Sequence, residues 1–524
     1  MPDDIFNKSS DTPGDTVIKS AIPTPLLAQL NDYLARYIGL SFKEARWSEL
    51  ERGIRKATPD FEFQEPEACI RWLLASPLNK TQVEILSRHL TVGETYFFRD
   101  ASSFEVLDKA ILPSLIAAAE TGKSRSLRIW SAACSTGEEA YSIAMILDRK
   151  KNQLKDWDIT ILATDINGKA LEQAQSGLYS EWSFRETPAW VKDTYFTKTT
   201  HKHYQLDPQI IKMVRFEYLN LAEDTYPSLL NYTNAMDILF CRNVLMYFSA
   251  EKAKAVVERF YLSLVMGGWF LVAPTDGFHL FDIQCFHKEP QYDSIFTKCE
   301  KVAEHPPLKT EWPLLANYPP VDPVAVSPDL PIIPILPILP IIPILPILPM
   351  DIYPGVLLLY RQGNYREILS SHVKDGAPIE GDPAFATHND KMCALVARCY
   401  ANLGHLDEAL LWCEKAILAN KLATTGYYLK ATILQEMGRE EEAVRELKRC
   451  LYLDQDSILA LFTLGHITLR QQNPAESNRH FSQALTLLQT MADEAVVSQE
   501  EGLTAGRMRD IIKTTMSMNK GARE

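Results

Sequence analysis

The sequence predicts an α/β protein with a mostly parallel central sheet, flanked by a smaller helical domain on the N-terminal side and an all-α domain on the C-terminal side. Between residues 101 and 302, apolar runs of strand length alternate with helical patterns, which is typical of a parallel sheet covered by helices on both faces. Before them, from about residue 21 to residue 100, apolar residues such as Leu26, Leu30 and Leu34 recur at helical spacing. The strand-like runs are 127–133, 159–163, 236–240 and 269–273.

Composition places the chain among ordinary globular proteins. It has 524 residues, enough for two or three domains, and a net charge of −13 that argues against nucleic-acid binding. The nine cysteines are scattered without metal-ligand spacing, which favours reduced thiols in a cytoplasmic protein. Residues 1–20 are polar, lack the apolar core of a secretory signal, and are predicted to be a disordered tail.

A linker rich in Pro, Ile and Leu is predicted over residues 303–353. It contains two copies of PIIPILPIL, at 331–339 and 340–348, with proline at every third position. This period matches the three-residue turn of polyproline II, and the prolines exclude a transmembrane helix. The segment is either a semi-rigid spacer or an apolar strip that docks on a domain or partner.

The C-terminal region repeats every 34 residues. Ala416, Cys450 and Ala484 stand at this interval, and the two glycines Gly404 and Gly438 do the same. A helix-turn-helix period of 34 residues is the tetratricopeptide signature. We assign the array to residues 354–490, with repeats at about 391–420 and 424–454, a weaker one at 458–488 and a degenerate one near residue 353. Residues 491–524 are predicted to be a tail.

Such arrays present a concave face to a protein partner, and that is one prediction for this domain. The alternative is a stabilising or dimerising appendage. Since a spacer separates the array from the rest, residues 1–302 are expected to bind their ligand with nearly the affinity of the full chain.

A nucleoside site is indicated where the first strand ends. The run 127–133 leads into a small polar loop, 134–139, and then into a helical pattern, 140–147; the second strand ends at Asp165. Strand, tight loop, helix, strand and acid form the layout that cradles an adenosine, with the acid accepting hydrogen bonds from both ribose hydroxyls. With one glycine and two acids, Glu138 and Glu139, the loop is unsuited to phosphate and fits a cationic ligand such as S-adenosylmethionine. The alternative is an ordinary α/β loop whose acids cap a helix.

Five ordered motifs resemble the CheR family of chemoreceptor glutamate methyltransferases, over roughly residues 25–300. They are TYFFRD at 95–100, WSAACSTGEEAYSIA at 130–144, ATDI at 163–166, FEYLNL at 216–221 and FCRNVLMYF at 240–248. The resemblance implies a Rossmann-like methyltransferase domain with a small β-subdomain after a helical N-terminal domain. It also implies S-adenosyl-L-methionine as cofactor and S-adenosyl-L-homocysteine as product.

The resemblance also assigns residue roles. Arg99 and Tyr247 are expected to be the catalytic residues. Arg99 is expected to pair with the cofactor carboxylate, and Tyr247 is expected to line the acceptor channel or, alternatively, to be a core aromatic residue. No metal is expected, because a carboxylate acceptor is already ionised at pH 7 and needs alignment rather than a base. The expected cofactor-binding residues are Thr95, Arg99, Glu138 (with Glu139 as the adjacent alternative), Asp165, Asn220, Leu221, Arg242 and Asn243.

The implied function is methyl transfer to glutamates of methyl-accepting chemoreceptors, with the receptor cytoplasmic domain as partner and no membrane insertion. Two departures from the family pattern, Gly93 where Asn is common and the triplet 274–276 (PTD), motivate an alternative: a non-catalytic scaffold that binds the cofactor and recruits partners. A small-molecule carboxyl methyltransferase is a third possibility. Because the stretch 197–215 is short and lacks a glycine-rich loop, recognition is predicted to be independent of a receptor C-terminal pentapeptide.

Overall fold

The computed structural model of the 524-residue chain describes residues 22–91, 93–120, 125–199, 202–223, 225–276, 286–292, 294–299, 352–498 and 503–521. The predicted N-terminal tail and nearly all of the predicted proline-rich linker lie outside these ranges. In the described part of the chain, no helix combines the length and hydropathy needed to cross a membrane. The described cysteines are free thiols.

The N-terminal helical domain has the predicted helical character. Its helices bury one apolar face each around a shared core that includes Leu30, Leu50 and Leu86. Asn79 begins the last helix with a capping box, since its side chain accepts from the Gln82 amide while the Gln82 side chain accepts from the Asn79 amide. The helices are α1 (Thr24–Tyr37), α2 (Trp47–Ala57), α3 (Pro66–Leu74) and α4 (Lys80–Leu90).

The central domain alternates helices and strands, as the sequence predicts. Its helices are α5 (Ala101–Val106), α6 (Leu112–Glu120), α7 (Glu138–Arg149), α8 (Gly168–Ser176), α9 (Ala189–Tyr195), α10 (Pro208–Lys212) and α11 (Ala250–Ser263). Its strands are β1 (Ser126–Ala132), β2 (Asp158–Asp165), β3 (Leu178–Ser180), β4 (Phe196–Lys198), β5 (His203–Leu206), β6 (Val214–Tyr218), β7 (Met236–Cys241), β8 (Leu264–Val272), β9 (Phe286–Lys288) and β10 (Ile295–Lys298).

Seven of these strands form one sheet in the order β6-β2-β1-β7-β8-β10-β9. The first five run parallel, and β10 and β9 close one edge in antiparallel pairing. The chain proceeds from β1 to β2 on one side and later returns to β7 on the other side, which makes the carboxyl end of β1 a topological switch point. Ligands of open α/β sheets bind in the crevice at such a point.

The remaining three strands form a separate antiparallel sheet in the order β3-β5-β4. This is the small β-subdomain that the family resemblance implies. Its apolar side belongs to the core of the main domain, where Phe97 packs against Tyr179, Phe184 and Phe196 with ring centroids 4.8–5.2 Å apart. The subdomain is therefore held rigidly beside the TYFFRD segment.

The array consists of helix pairs, as the 34-residue period predicts. The residues at this interval are the contact points of each pair: Ala416, Cys450 and Ala484 are all buried. At Gly465 a Cβ atom would lie 2.5 Å from the Phe481 ring, so the two helices approach too closely for a larger residue. The helices are α12 (Tyr353–Arg361), α13 (Tyr365–His372), α14 (Pro383–Asn402), α15 (Leu406–Ala419), α16 (Thr424–Glu436), α17 (Glu440–Leu453), α18 (Ile458–Arg470) and α19 (Pro474–Gln489); a two-stranded hairpin, β11 (Val373–Lys374) and β12 (Ala377–Pro378), follows α13.

The described part of the predicted C-terminal tail, residues 491–498 and 503–521, is folded onto the array. A short hairpin, β13 (Val496–Ser498) and β14 (Leu503–Thr504), leads into helix α20 (Ala505–Gly521). Met508 and Ile512 are fully buried, and they share one apolar cluster with Phe481. In the sequence, Met508 and Ile512 form a single apolar pair at i, i+4 spacing. One pair is too little to predict a helix when the α19 surface that it covers is not known.

The array also packs directly against the central domain, at the edge of the sheet where the parallel strands begin. A Cβ atom at Gly363 would overlap Leu262, and one at Gly404 would lie 3.4 Å from Val265 and 3.8 Å from Ala235. These glycines occupy turns between paired helices of the array. The two domains therefore form a contact that the predicted spacer gave no reason to expect.

Candidate active site

A cleft at the carboxyl ends of β1, β2 and β7 contains most of the predicted site residues. It has two adjoining compartments, of about 100 and 260 Å³. The first compartment includes Asp165, Asn220 and Leu221, with Leu40 and Leu90 contributed by the N-terminal domain. The second includes Glu94, Thr95, Tyr96, Arg99, Glu139, Arg242, Met246 and Thr275. Both compartments share Ala133, Ser135, Asn243 and Tyr247.

Asp165 lies at the end of β2 on the wall of the first compartment. Its Oδ2 accepts from the Ser135 amide and its Oδ1 from the Asn167 amide, each at 2.8 Å. Burial raises the pKa of this carboxyl, although these amide donors favour the ionised form. Each carboxylate oxygen keeps a further acceptor position, which suits a pair of vicinal hydroxyls.

The loop after β1 is a tight turn built from left-handed backbone. Ala133, Ser135 and Gly137 all have positive φ, at 60°, 51° and 90°. At Gly137 a Cβ atom would lie 2.8 Å from the Ala174 Cβ, so the single glycine of the loop is required by close packing against α8. Ala133 and Ser135 are not glycines, so a positive φ strains their backbone, and backbone strain of this kind is common at ligand sites.

Glu138 and Glu139 have different surroundings, and the acid that lines the cleft is Glu139, the adjacent alternative of the sequence analysis. The Glu138 side chain is buried away from both compartments, where Oε2 accepts from the Thr136 hydroxyl at 2.6 Å. Glu139 lines the second compartment; its Oε1 accepts from Ser131 at 2.8 Å and its Oε2 from Arg242 at 3.2 Å. Adjacent helix positions point about 100° apart, so only one of the two acids faces the cleft.

Arg242 joins the three segments around the second compartment. Its buried guanidinium pairs with Glu139 and, at 2.8 Å, with Asp100. It also donates to the backbone carbonyl of Arg99 at 2.6 Å. The Arg99 side chain, in turn, donates to the Glu94 carbonyl at 2.6 Å and lines the same compartment. Two guanidinium groups therefore border the second compartment.

Asp276, which sequence analysis treated as a departure from the family pattern, anchors the loop after β7. Its fully buried carboxylate accepts from the Asn243 amide and, at 3.0 Å, from the Met246 amide. These bonds hold Asn243 at a positive φ of 59°. The neighbouring Thr275 lines the second compartment. The triplet 274–276 thus supports the site, which removes one reason for the scaffold alternative.

Tyr247 lines both compartments and is half-buried. Its backbone carbonyl accepts from the Ser41 amide at 2.7 Å, and the Arg46 guanidinium lies 5.3 Å from its ring centroid. This places the ring at the junction with the N-terminal domain and in the cleft. Of the two interpretations that the sequence left open, the position favours the channel.

The residues of the cleft fit S-adenosylmethionine. Ser135 Oγ is buried and has no hydrogen-bond partner among the described residues. Gly93 leaves open space beside it, because a Cβ atom added at Gly93 would have this oxygen as its nearest neighbour, at 3.7 Å. Asp165 suits the ribose, while Glu139 beside the arginines suits the ammonium and carboxylate of the methionine part. Within the described ranges, no group of His, Cys, Asp and Glu side chains has the arrangement of a metal site.

Replacement of each acid by glutamine tests which one serves the cofactor. We expect Glu139→Gln to weaken S-adenosylmethionine binding about tenfold, because a charge-assisted contact of about 1.5 kcal/mol is lost. Glu138→Gln should change the dissociation constant by less than about twofold. Isothermal titration calorimetry of the two variants gives the comparison. A larger effect of Glu138→Gln would restore the order expected from the sequence.

The chain is similar in sequence to known methyltransferases. Residues 93–284 match the family model described as "CheR methyltransferase, SAM binding domain", and residues 390–421 and 424–457 match a tetratricopeptide repeat model. The chain is 39% identical over 198 residues to "Chemotaxis protein methyltransferase 1" of Pseudomonas aeruginosa, an alignment that covers 37% of this chain and 69% of the relative.

Two further relatives extend the match. "Chemotaxis protein methyltransferase 2" of Vibrio cholerae is 30% identical over 268 residues, 50% of this chain and 91% of its own. "Probable biofilm formation methyltransferase WspC" of Pseudomonas aeruginosa is 33% identical over 243 residues, 46% of this chain and 54% of its own. With its cleft, its motifs and these relatives together, the chain belongs to the CheR family of S-adenosylmethionine-dependent methyltransferases, extended by a tetratricopeptide array.

Proposed function

We propose that the protein is a glutamate O-methyltransferase that modifies the cytoplasmic domain of methyl-accepting chemoreceptors and so adjusts their signalling. The observation that carries this proposal is a cofactor cleft of the CheR family, with Tyr247 on the wall shared by both compartments, next to the expected methyl donor. A glutamate carboxylate needs only alignment beside the donor, so an acidic side chain is the acceptor that such a site suits. The names of the chemotaxis relatives point to the same class of acceptor.

The chain's own residues would act by binding and alignment. S-adenosylmethionine supplies an activated methyl group, which passes to a carboxylate oxygen while the sulfur keeps the bonding electron pair. Asp165 holds the ribose end, Arg99 fixes the donor carboxylate, and Tyr247 shapes the passage between the compartments. No group has to remove a proton, because a glutamate is already ionised at pH 7. Alignment in a site shielded from water then provides the rate.

Transfer of labelled methyl from S-adenosylmethionine tests the proposal. Receptor-containing membranes from the same organism should acquire base-labile label, and Asp165→Ala protein should transfer none. Base-stable label would contradict a glutamate ester. Turnover without receptor would indicate a small-molecule carboxyl methyltransferase, and cofactor binding without transfer to any acceptor would indicate a scaffold.

Recognition of the receptor is proposed to be independent of a C-terminal pentapeptide. The β-subdomain supports this, because only four residues, 199–202, connect β4 to β5 and none is glycine. We expect deletion of the last five residues of a receptor to change the initial methylation rate by less than about twofold, because the short connection between β4 and β5 offers no loop that would hold a pentapeptide. A rate reduced tenfold or more by the deletion would contradict this expectation.

We further propose that the protein works in the cytoplasm, where receptor signalling domains are exposed, and that the array has a protein partner. A groove of about 520 Å³ along the array, lined by Lys391, Leu395, Thr425, Ile458 and Val497 among others, supports the second proposal. The contact between the array and the central domain supports the alternative of a stabilising appendage, and the two roles are compatible.

A further inference from the structure

Residues 219–235, here called the β6–β7 crossover, connect the cofactor cleft to the array. The segment leaves the carboxyl end of β6 and enters the amino end of β7, so it spans the sheet from the cleft to the opposite edge. Its described residues, 219–223 and 225–235, contain no helix or strand. Its position therefore depends on side-chain contacts rather than on regular backbone hydrogen bonds.

At the cleft end, the crossover supplies Asn220 and Leu221 to the first compartment. The Leu221 carbonyl accepts from the Tyr226 hydroxyl and from Arg259 Nη2, each at 2.9 Å. The Asn220 side chain donates to the Tyr37 carbonyl of the N-terminal domain at 2.9 Å. A shift of the crossover would consequently move two expected cofactor contacts.

At the array end, the crossover meets Glu436, the last residue of α16. Glu436 Oε2 accepts from Asn234 Nδ2 at 3.3 Å, and Oε1 lies 3.9 Å from Arg128 Nη2. The same Arg128 nitrogen donates to the Tyr232 carbonyl at 3.1 Å. The side chains of Glu436 and Arg128 are only 1% and 8% exposed, so this ion pair is shielded from solvent.

Apolar contacts reinforce the same end. Leu229 belongs to the hydrophobic cluster of the first array helices, which includes Tyr360 and Ile433. Leu230 packs against the two following clusters of the array, which contain Leu464 and Phe481. Two neighbouring side chains of the central domain thus insert into the array on either side of a repeat boundary.

Between the two ends, the crossover is tied to itself. The Thr233 hydroxyl donates to Asn231 Oδ1 at 2.5 Å and accepts from the Ser228 amide at 3.0 Å. Tyr232 and Ala235 have left-handed backbone, with φ of 60° and 47°, which non-glycine residues hold only where their surroundings fix them. The crossover is therefore braced by its own contacts between the cleft and the array.

We propose that Glu436 of the array is a positioning residue for cofactor binding: by holding Asn234 and Arg128, it fixes the crossover and with it Asn220 and Leu221. The proposal rests on cofactor binding in the first compartment. It replaces the expectation that residues 1–302 bind at full affinity by themselves. Coupling is reciprocal, so a partner that draws the array away from the crossover lowers the affinity for S-adenosylmethionine.

The test uses the full chain, with calorimetric titration of S-adenosylmethionine and of S-adenosylhomocysteine in the absence of acceptor. We expect Glu436→Gln, which removes the charge and keeps the size, to raise both dissociation constants at least about fivefold. Glu441→Gln is the matched control, because Glu441 is an exposed residue of α17. It should bind like the unmodified chain.

Steady-state kinetics separate positioning from general damage. For Glu436→Gln we expect a raised KM for S-adenosylmethionine with kcat unchanged, because saturating cofactor restores the bound geometry. Should Glu436→Gln fail to fold, Leu230→Ala tests the same end of the crossover through its apolar contact. Dissociation constants within about twofold of the unmodified chain would overturn the proposal. Cofactor binding by the unmodified chain without methyl transfer to any acceptor would overturn the proposed function and leave this proposal untouched.

Discussion

Replacement of Arg242 by methionine is expected to lower the free energy of unfolding by about 3–5 kcal/mol, because it leaves buried carboxylate charge without its partner. Among the residues that the structure describes, Arg242 is the cation that pairs with both Glu139 and Asp100, and its own side chain is 2% exposed. It also holds the Arg99 carbonyl, so the variant should lose cofactor affinity as well as stability. Equilibrium unfolding in urea measures the first effect and calorimetry the second.

Arg125→Met provides the matched control. Arg125 pairs with Asp156 at 3.5 Å, but the two side chains are 56% and 71% exposed. Exposed ion pairs contribute about 0–1 kcal/mol, so this variant should unfold almost like the unmodified chain. If both variants lowered the free energy of unfolding equally, the buried contacts of Arg242 would not stabilise the fold more than an exposed ion pair does. That result would contradict the prediction.

Asp165→Asn is expected to raise the dissociation constant for S-adenosylmethionine about 100-fold or more. A hydrogen bond to a charged group is worth about 1.5–3 kcal/mol, and two such bonds to the ribose account for that factor. In the unmodified chain, the Ser135 and Asn167 amides both donate to the Asp165 carboxylate. The substitution replaces one of the two accepting oxygens by an amide donor, which then faces one of these N–H groups. The variant is therefore expected to disturb both the loop after β1 and the binding of the cofactor.

The control for this variant is Asp156→Asn, which changes the same residue type at an exposed position just before β2. Calorimetric titration should give an unchanged dissociation constant for it. A loss of less than about tenfold in Asp165→Asn would mean that the ribose is held elsewhere in the cleft, and the remaining acceptor positions on Asp165 would then have no role in binding.

Much of the cleft was predictable because most of its residues follow strand ends in the sequence, while Thr95 and Arg99 belong to the TYFFRD motif before α5. The residues that the motifs indicate and that line the cleft are Thr95, Arg99, Asp165, Asn220, Leu221, Arg242, Asn243 and Tyr247. The ligand contacts themselves stay predictions. Sequence ranked Glu138 before Glu139, since nothing in a linear motif fixes the rotation of a helix about its axis. That rotation follows from the Gly137 turn and its packing against α8.

Other contributors had no linear signal. Ser135 Oγ becomes a candidate donor only because the turn after β1 buries it beside Gly93. Asp276 looked like a lost family residue, yet its carboxylate organises the loop at Asn243. Both are consequences of contacts between segments that are distant along the chain, and a reading of each segment separately does not contain them.

Local spacing and residue type are enough to predict the alternation of strands and helices, the 34-residue period and the motifs at the strand ends. Three features emerge only on folding: the C-terminal residues form α20, Glu139 faces the cleft, and the array rests on the sheet through Glu436 and the β6–β7 crossover. Each of these is a contact between surfaces that lie far apart along the chain, and its free energy exists only once both surfaces have formed.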